Sequence, residues 1–175
     1  MEARYIFHIT YNPEHEQAQE FIGFLNNVAS CSDKLSCLFT ETDNPGLEFT
    51  LLKEGVETGI KFRGIPSGHE FTSLLLAVLN ADGKGKNLPD EAISRRIKAL
   101  QGPVRLQTYV SLTCTNCPDV VQALNIITLL NPQITHERVD GALYQEEVDA
   151  LKIQGVPSVC ANGKPVSYTH IQAHE

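Results

Sequence analysis

The chain has 175 residues, 42% hydrophobic and 20% charged, with 12 Gly, 9 Pro and no Trp. That is the composition of a folded globular protein with room for one large domain or two small ones. Fourteen Lys and Arg against 21 Asp and Glu give a formal charge of −7, which argues against nucleic acid and anionic membranes as partners, since both require a basic face. No apolar run approaches the roughly 20 residues that cross a bilayer, and the first residues lead into a strand-like segment rather than a basic, then apolar, leader. A cytoplasmic location is therefore expected.

In chain order, residues 4–10 have the β-branched and aromatic enrichment of a strand, which Asn12-Pro13 ends. Phe21, Ile22, Leu25 and Val28 then recur at helical spacing. Residues 35–40, 47–53 and 58–62 read as three short strands, with turns at Asp43-Asn44-Pro45-Gly46 and Glu54-Gly55, and residues 68–80 read as a helix. The Gly-rich polar stretch 80–87 is the best linker candidate; a helix opens at Leu88-Pro89-Asp90-Glu91, and Gly102-Pro103 marks a boundary.

Beyond it, residues 104–110 predict a strand, 117–130 a helix ended by Asn131-Pro132, 134–139 a strand and 146–153 a helix. Residues 156–161 and 165–168 predict a hairpin around Asn162-Gly163, whose residues tolerate the positive φ of a tight turn. The second half thus resembles the thioredoxin architecture without its closing helix, because residues 169–175 are too few and too polar to cover a sheet face. A sheet left uncovered there would favour some dimer formation at high concentration. The expected fold class is α/β: two fused thioredoxin-like folds, residues 1–100 and 101–175, each a mixed sheet flanked by helices.

The chemistry concentrates at Ser111-Leu-Thr113-Cys114-Thr115-Asn116-Cys117-Pro118, where a strand gives way to a helix. Unpaired N–H groups at a helix start favour a thiolate, which makes Cys114 the exposed nucleophile. The two-residue spacing lets Cys117 close a disulfide with it as the buried resolving thiol, and Pro118 costs little in a first helical turn. Half of a zinc site, or a pair of core cysteines, accounts for the same motif. Some 40 residues on, Val156-Pro157 opens a strand; the resemblance to thioredoxin-like folds, which place a cis-proline loop facing the disulfide there, implies a substrate-docking loop with a cis peptide bond, while an ordinary strand terminator explains the proline by itself. Thr113 and Thr115, flanking Cys114, join Val156 and Pro157 as candidate substrate-binding residues.

Cys31, Cys37 and Cys160 have no metal-ligand spacing and read as core thiols, so no metal is expected. The six histidines form no i, i+4 pair on an expected helix and take solvent or packing roles. Tyr109 and Tyr144 read as core residues, with a position near the cysteine pair as the alternative.

The stretch 109–125, together with Gly155-Val-Pro157, Asn162-Gly-Lys164 and Gly68-His-Glu70-Phe-Thr-Ser-Leu74, resembles the N-terminal domain of bacterial alkyl hydroperoxide reductase F subunits. That resemblance implies a thiol–disulfide oxidoreductase domain. It would pass electrons from a thioredoxin-reductase-like portion to the disulfide of a peroxiredoxin, the C subunit, in peroxide detoxification. FAD and NADH would belong to the reductase portion, since this chain has no G-x-G-x-x-G segment and no length for dinucleotide domains. The resemblance also makes Cys114 the attacking thiol, Cys117 the resolving one, and Glu70 an acid/base reaching across from the first half. Against this, Ser67-x-x-Glu70 ahead of an apolar run is a capping box, which explains a Glu there by itself. The alternatives are a free-standing glutaredoxin-like or protein disulfide oxidoreductase, and a zinc-binding interaction domain.

Overall fold

The structure, a computed structural model, describes residues 1–85 and 88–166. The first half contains β1 (Tyr5–Tyr11), α1 (Ala18–Ala29), β2 (Leu35–Glu41), β3 (Leu47–Lys53), β4 (Val56–Arg63), a 3-10 turn (Gly68–Glu70) and α2 (Phe71–Ala81). A short connecting helix, α3 (Glu91–Lys98), follows. The second half contains β5 (Val104–Val110), α4 (Cys117–Leu130), β6 (Ile134–Asp140), α5 (Gln145–Ala150), β7 (Ser158–Ala161) and β8 (Lys164–Pro165).

Each half repeats one strand order, β2-β1-β3-β4 and β6-β5-β7-β8, with the helical crossover joining the two strands that pair in parallel. The expected two sheets are one. β4 and β6 pair in parallel, with Phe62 opposite Arg138, so a continuous eight-stranded sheet runs through both halves. The expected closing-helix deficit at residues 169–175, and part of the strand expected over 165–168, lie outside the described residues.

Alternation along β1, β3 and β4 puts Tyr5, Phe7, Ile9, Leu47, Phe49, Leu51, Ile60 and Phe62 on one buried face. Phe21, Leu25 and Val28 of α1 and Leu74, Ala77 and Val78 of α2 cover that face. Phe49 is its centre, stacked on Phe62 with ring centroids 5.1 Å apart and set edge-on to Phe7 at 5.3 Å. Burying one such ring contributes about 2 to 3 kcal/mol.

In the second half Val110, Cys117 and Val121 pack on the α4 side of the sheet. Tyr109, Val139 and Cys160 pack on the other side under α5. Tyr109 is therefore a core residue, and lies on the sheet face opposite Cys117. Its hydroxyl donates to Glu147 Oε1 at 2.6 Å. Glu147 also receives both arms of the Arg63 guanidinium, at 2.8 and 2.6 Å, and Arg63 lies 4.2 Å from the centroid of the Tyr144 ring. Tyr144 closes the clamp by accepting the Leu47 amide at 2.9 Å and donating to the Leu47 carbonyl at 3.0 Å. A first-half strand and a second-half helix are thus tied on the face away from the cysteines.

Candidate functional site

The cysteine pair sits at the carboxyl end of β5, where the chain turns into α4. Cys114 and Cys117 form a disulfide with Cα atoms 5.5 Å apart. The helix begins where the sequence suggests: Cys117 is its first residue and Pro118 its second, where the missing N–H breaks no intrahelical bond. Cys114 lies three residues earlier in the turn, and its sulfur accepts the Cys117 amide at 3.2 Å. One of the orphan donors of the helix start is thereby aimed at the more accessible sulfur, since Cys114 is half-buried and Cys117 is completely buried.

Thr113 and Thr115 are exposed on either side of Cys114. The Thr113 amide donates to Ser111 Oγ at 3.3 Å, and the two hydroxyls lie 3.0 Å apart, which pins the turn entering the motif. Val156-Pro157 is cis, and Val156 is 41% exposed. Ser158, which follows, pairs with Tyr109 at the end of β5, so the loop lies at the same sheet end as Cys114.

Glu70 overturns the capping-box expectation. Ser67 makes no side-chain capping bond, and Glu70 itself occupies the residue before α2. Its side chain is completely buried, and neither carboxylate oxygen has a hydrogen-bond partner. A cap would face the solvated helix end; this carboxyl turns inward. Burial pushes its pKa above the usual carboxylate range, opposed first by the Arg138 charge.

Packing of the helices places that carboxyl. α2 and α4 run side by side in the same direction: Gln122 Nε2 donates to Ser73 Oγ at 3.3 Å, and further along Asn80 shares a cavity wall with Ile126 and Leu129. One turn back from Ser73 is Glu70, and one turn back from Gln122 is the start of α4. Gly68 makes this approach feasible. It adopts φ +59°, and a Cβ there would stand 3.1 Å from the Leu112 carbonyl just before the motif.

The residues that sequence reasoning missed lie on β6. His136, Arg138 and Asp140 alternate onto the α4 side, and all three are buried. His136 Nδ1 lies 2.7 Å from Asn125 Oδ1, and Nε2 lies 2.7 Å from the Thr108 hydroxyl. Burial lowers its pKa to about 3. The available signal was four ionisable groups in one seven-residue strand, Ile134-Thr-His-Glu-Arg-Val-Asp140, since unpaired charge is too costly inside a sheet to be incidental.

The remaining cysteines separate. Cys160 is buried and Cys37 half-buried, and burial pushes both thiols up, as core thiols should be. Cys31 is exposed at the end of α1, which corrects its assignment to the core. Its position beyond Val28, the last buried residue of α1, turns it outward. Among the described residues no group of three or more His, Cys, Asp or Glu is placed to hold a metal ion. No helix among them is long and apolar enough to cross a membrane.

Comparison with known proteins decides the family. A crystal structure of the N-terminal domain of the Enterococcus faecalis alkyl hydroperoxide reductase F subunit superposes with a TM-score of 0.86 at 32% identity, covering 94% of this chain and 85% of that one. The chain belongs to the alkyl hydroperoxide reductase F family. Over 151 residues it is 42% identical to the Pseudomonas aeruginosa member of this family, and equally to a Bacillus subtilis relative named NADH dehydrogenase. Those matches cover 86% of this chain and 29% of each relative. No family model matches the chain. Within the alkyl hydroperoxide reductase F family, the chain matches the N-terminal domain, and its cysteine pair forms the Cys114–Cys117 disulfide.

Proposed function

We propose that this domain relays electrons, as a dithiol, from a flavoprotein reductase portion to the disulfide of a peroxiredoxin. The observation that carries this reading is the disulfide at the head of α4, one sulfur accessible and facing a helix-start amide, the other completely buried. In the reduced form the Cys114 thiolate attacks one sulfur of the partner disulfide. That S–S bond breaks, the second partner sulfur leaves as a thiolate, and a mixed disulfide remains. Cys117 then gives up its proton, with Glu70 as the acceptor, and attacks the Cys114 sulfur. The partner's remaining sulfur departs, and two electrons have moved to the partner. Thr113, Thr115, Val156 and Pro157 form the rim on which the partner's chain docks.

FAD and NADH are assigned to the reductase portion because the residues here do not fit a dinucleotide. The β1–α1 turn, residues 12–17, contains no glycine, and the β5–α4 turn is occupied by the disulfide. No step in this chain runs through either cofactor; the oxidised disulfide is re-reduced by exchange with a partner dithiol.

The test is exchange with an oxidised two-cysteine peroxiredoxin, followed by mass spectrometry. The reduced wild type should reduce the partner at least about a hundredfold faster than a small free thiol. Cys117→Ser should hold a covalent adduct and Cys114→Ser none. A rate no better than that of the free thiol refutes the relay role. Stoichiometric zinc in protein purified without chelator would favour the zinc-binding interaction reading.

A further inference from the structure

Glu70 and Arg138 are buried charged groups from different halves, and the acid/base reading uses only the first. Arg138 stands in the middle of β6 with no exposed surface. Nη2 donates to the Arg63 carbonyl at 3.3 Å, and the guanidinium lies 5.7 Å from the centroid of the Phe62 ring. Nε and Nη1 have no hydrogen-bond partner, as with both oxygens of Glu70. The charge of each is nevertheless the main favourable influence on the ionised form of the other. Leaving four donor and acceptor atoms of two charged groups unpaired carries a large desolvation cost that a purely structural pair would relieve by direct contact.

The fold holds this arrangement open. Gly64, at φ +101°, leaves room beside the guanidinium: a Cβ there would stand 2.8 Å from Asp140 Cβ and 3.5 Å from Arg138 Nη2. Sheet register then connects Arg138 to the motif. It lies opposite Thr108 on β5, two residues before Val110, which packs against Cys117. Other groups around the carboxyl are sparse. The Ser73 hydroxyl, one turn on, and His69, its chain neighbour, act on it after Arg138; Asp140 of β6 acts on the guanidinium, and Cys117 is at the head of α4. Asp119 of α4 is exposed, α2 has no charged residue, and Arg63 is engaged with Glu147 on the opposite face.

We propose that Arg138 is a positioning residue of the dithiol site, holding the Glu70 carboxyl beneath the first turn of α4 and setting how readily it accepts the Cys117 proton. This rests on the acid/base reading of Glu70. Without the guanidinium the buried carboxyl would hold its proton more tightly and serve more poorly as a base at neutral pH. Attack by Cys114, whose sulfur faces the helix-start amide, does not depend on the pair.

A chromogenic aromatic disulfide separates the two steps. Attack by Cys114 releases one aromatic thiolate and leaves a mixed disulfide; attack by Cys117 on the Cys114 sulfur releases the second and closes the protein disulfide. Stopped-flow absorbance across pH resolves both releases. Glu70→Gln should slow the second release at neutral pH and leave the first within about twofold. Arg138→Gln should slow the second about tenfold and move its pH inflection upward by about one unit. In a Glu70→Gln background, Arg138→Gln should add nothing.

Equal slowing by Arg138→Gln with and without Glu70 would show a structural role and overturn the proposal. So would an unshifted inflection. If Glu70→Gln leaves the second release unchanged, the acid/base reading fails and the proposal falls with it; if only Arg138→Gln is silent, the proposal alone fails. Should Arg138→Gln not fold, Arg138→Lys decides. It keeps the charge but loses the planar fork and should slow the second release severalfold only where Glu70 is present; equal slowing in both backgrounds is again fatal.

Discussion

The two halves share a strand order and bury themselves in different ways. In the first, the β2–β3 connection is a short turn, residues 42–46, and the large core lies on one side of the sheet under α1 and α2. In the second, α5 occupies the equivalent connection and covers the far face, so two small clusters form, one on each side. The first core is aromatic and aliphatic. The interior of the second includes His136, Arg138, Asp140 and Asn125. Apolar burial stabilises without needing partners, whereas buried polar groups must be matched and retain reactivity. Stability therefore belongs mainly to the half without the disulfide, and most of the buried polar groups to the half with it.

The largest expected effect tests whether that division is shared through the common sheet. Phe49→Ala removes the ring that touches Phe7, Phe21 and Phe62 and should cost about 3 to 5 kcal/mol. Because Phe62 lies opposite Arg138 across the β4–β6 junction, the loss should extend to the second half. Hydrogen exchange of β5 and β6 amides should accelerate together with that of β1 and β3. Retained protection in β5 and β6 would show two independent folding units and break the comparison.

The next effect separates the interiors by pH. An unfolded histidine takes up a proton below about pH 6.5, whereas His136 in the fold resists until about pH 3. Between those values the unfolded state binds more protons, so this contribution is full above about 6.5 and is lost as pH falls. From pH 6.5 to 5 it should weaken the fold by about 2 kcal/mol. Glu70 acts in the opposite sense: its raised pKa gives a contribution present below the ordinary glutamate value and lost as pH rises through the folded one. The measurement is therefore a difference, wild type against His136→Gln, in urea midpoints over this range. A variant that keeps the full acid sensitivity would remove His136 as its source.

What the sequence made legible was local. Cys114, Cys117 and Pro118 mark a strand-to-helix turn by residue type alone, and Asn131-Pro132 ends α4 where expected. The Val156-Pro157 bond is cis, as the resemblance of the second half to thioredoxin-like folds implied. α5 stops at Ala150, short of the expected Ile153, because Lys152 turns to φ +57°. Ser67-x-x-Glu70 left two readings open because a capping box and an inward carboxyl look the same until the helix start is placed. The β4–β6 junction and the Glu70–Arg138 approach had no sequence signal of their own. Both pair residues more than sixty positions apart, and register between halves depends on packing that no local pattern encodes.

The smallest effect concerns the segment joining the halves. α3 is capped by Asp90, whose carboxylate accepts the Ile93 amide at 2.9 Å, and none of the helix residues is buried. Its firmest tie to the second half is Asn131, whose Nδ2 donates to the Ile97 and Leu100 carbonyls, both at 2.9 Å. Asp90→Ala removes the cap and should cost the helix about 1 kcal/mol. A helix that buries nothing can fray without disturbing either core, so global stability should change by less than about 0.5 kcal/mol. Faster amide exchange confined to α3, with an unchanged urea midpoint, is the expected outcome. A midpoint shift matching the full loss of the cap would show that α3 is coupled to the cores, and would place part of the stability in the connection rather than in the first half.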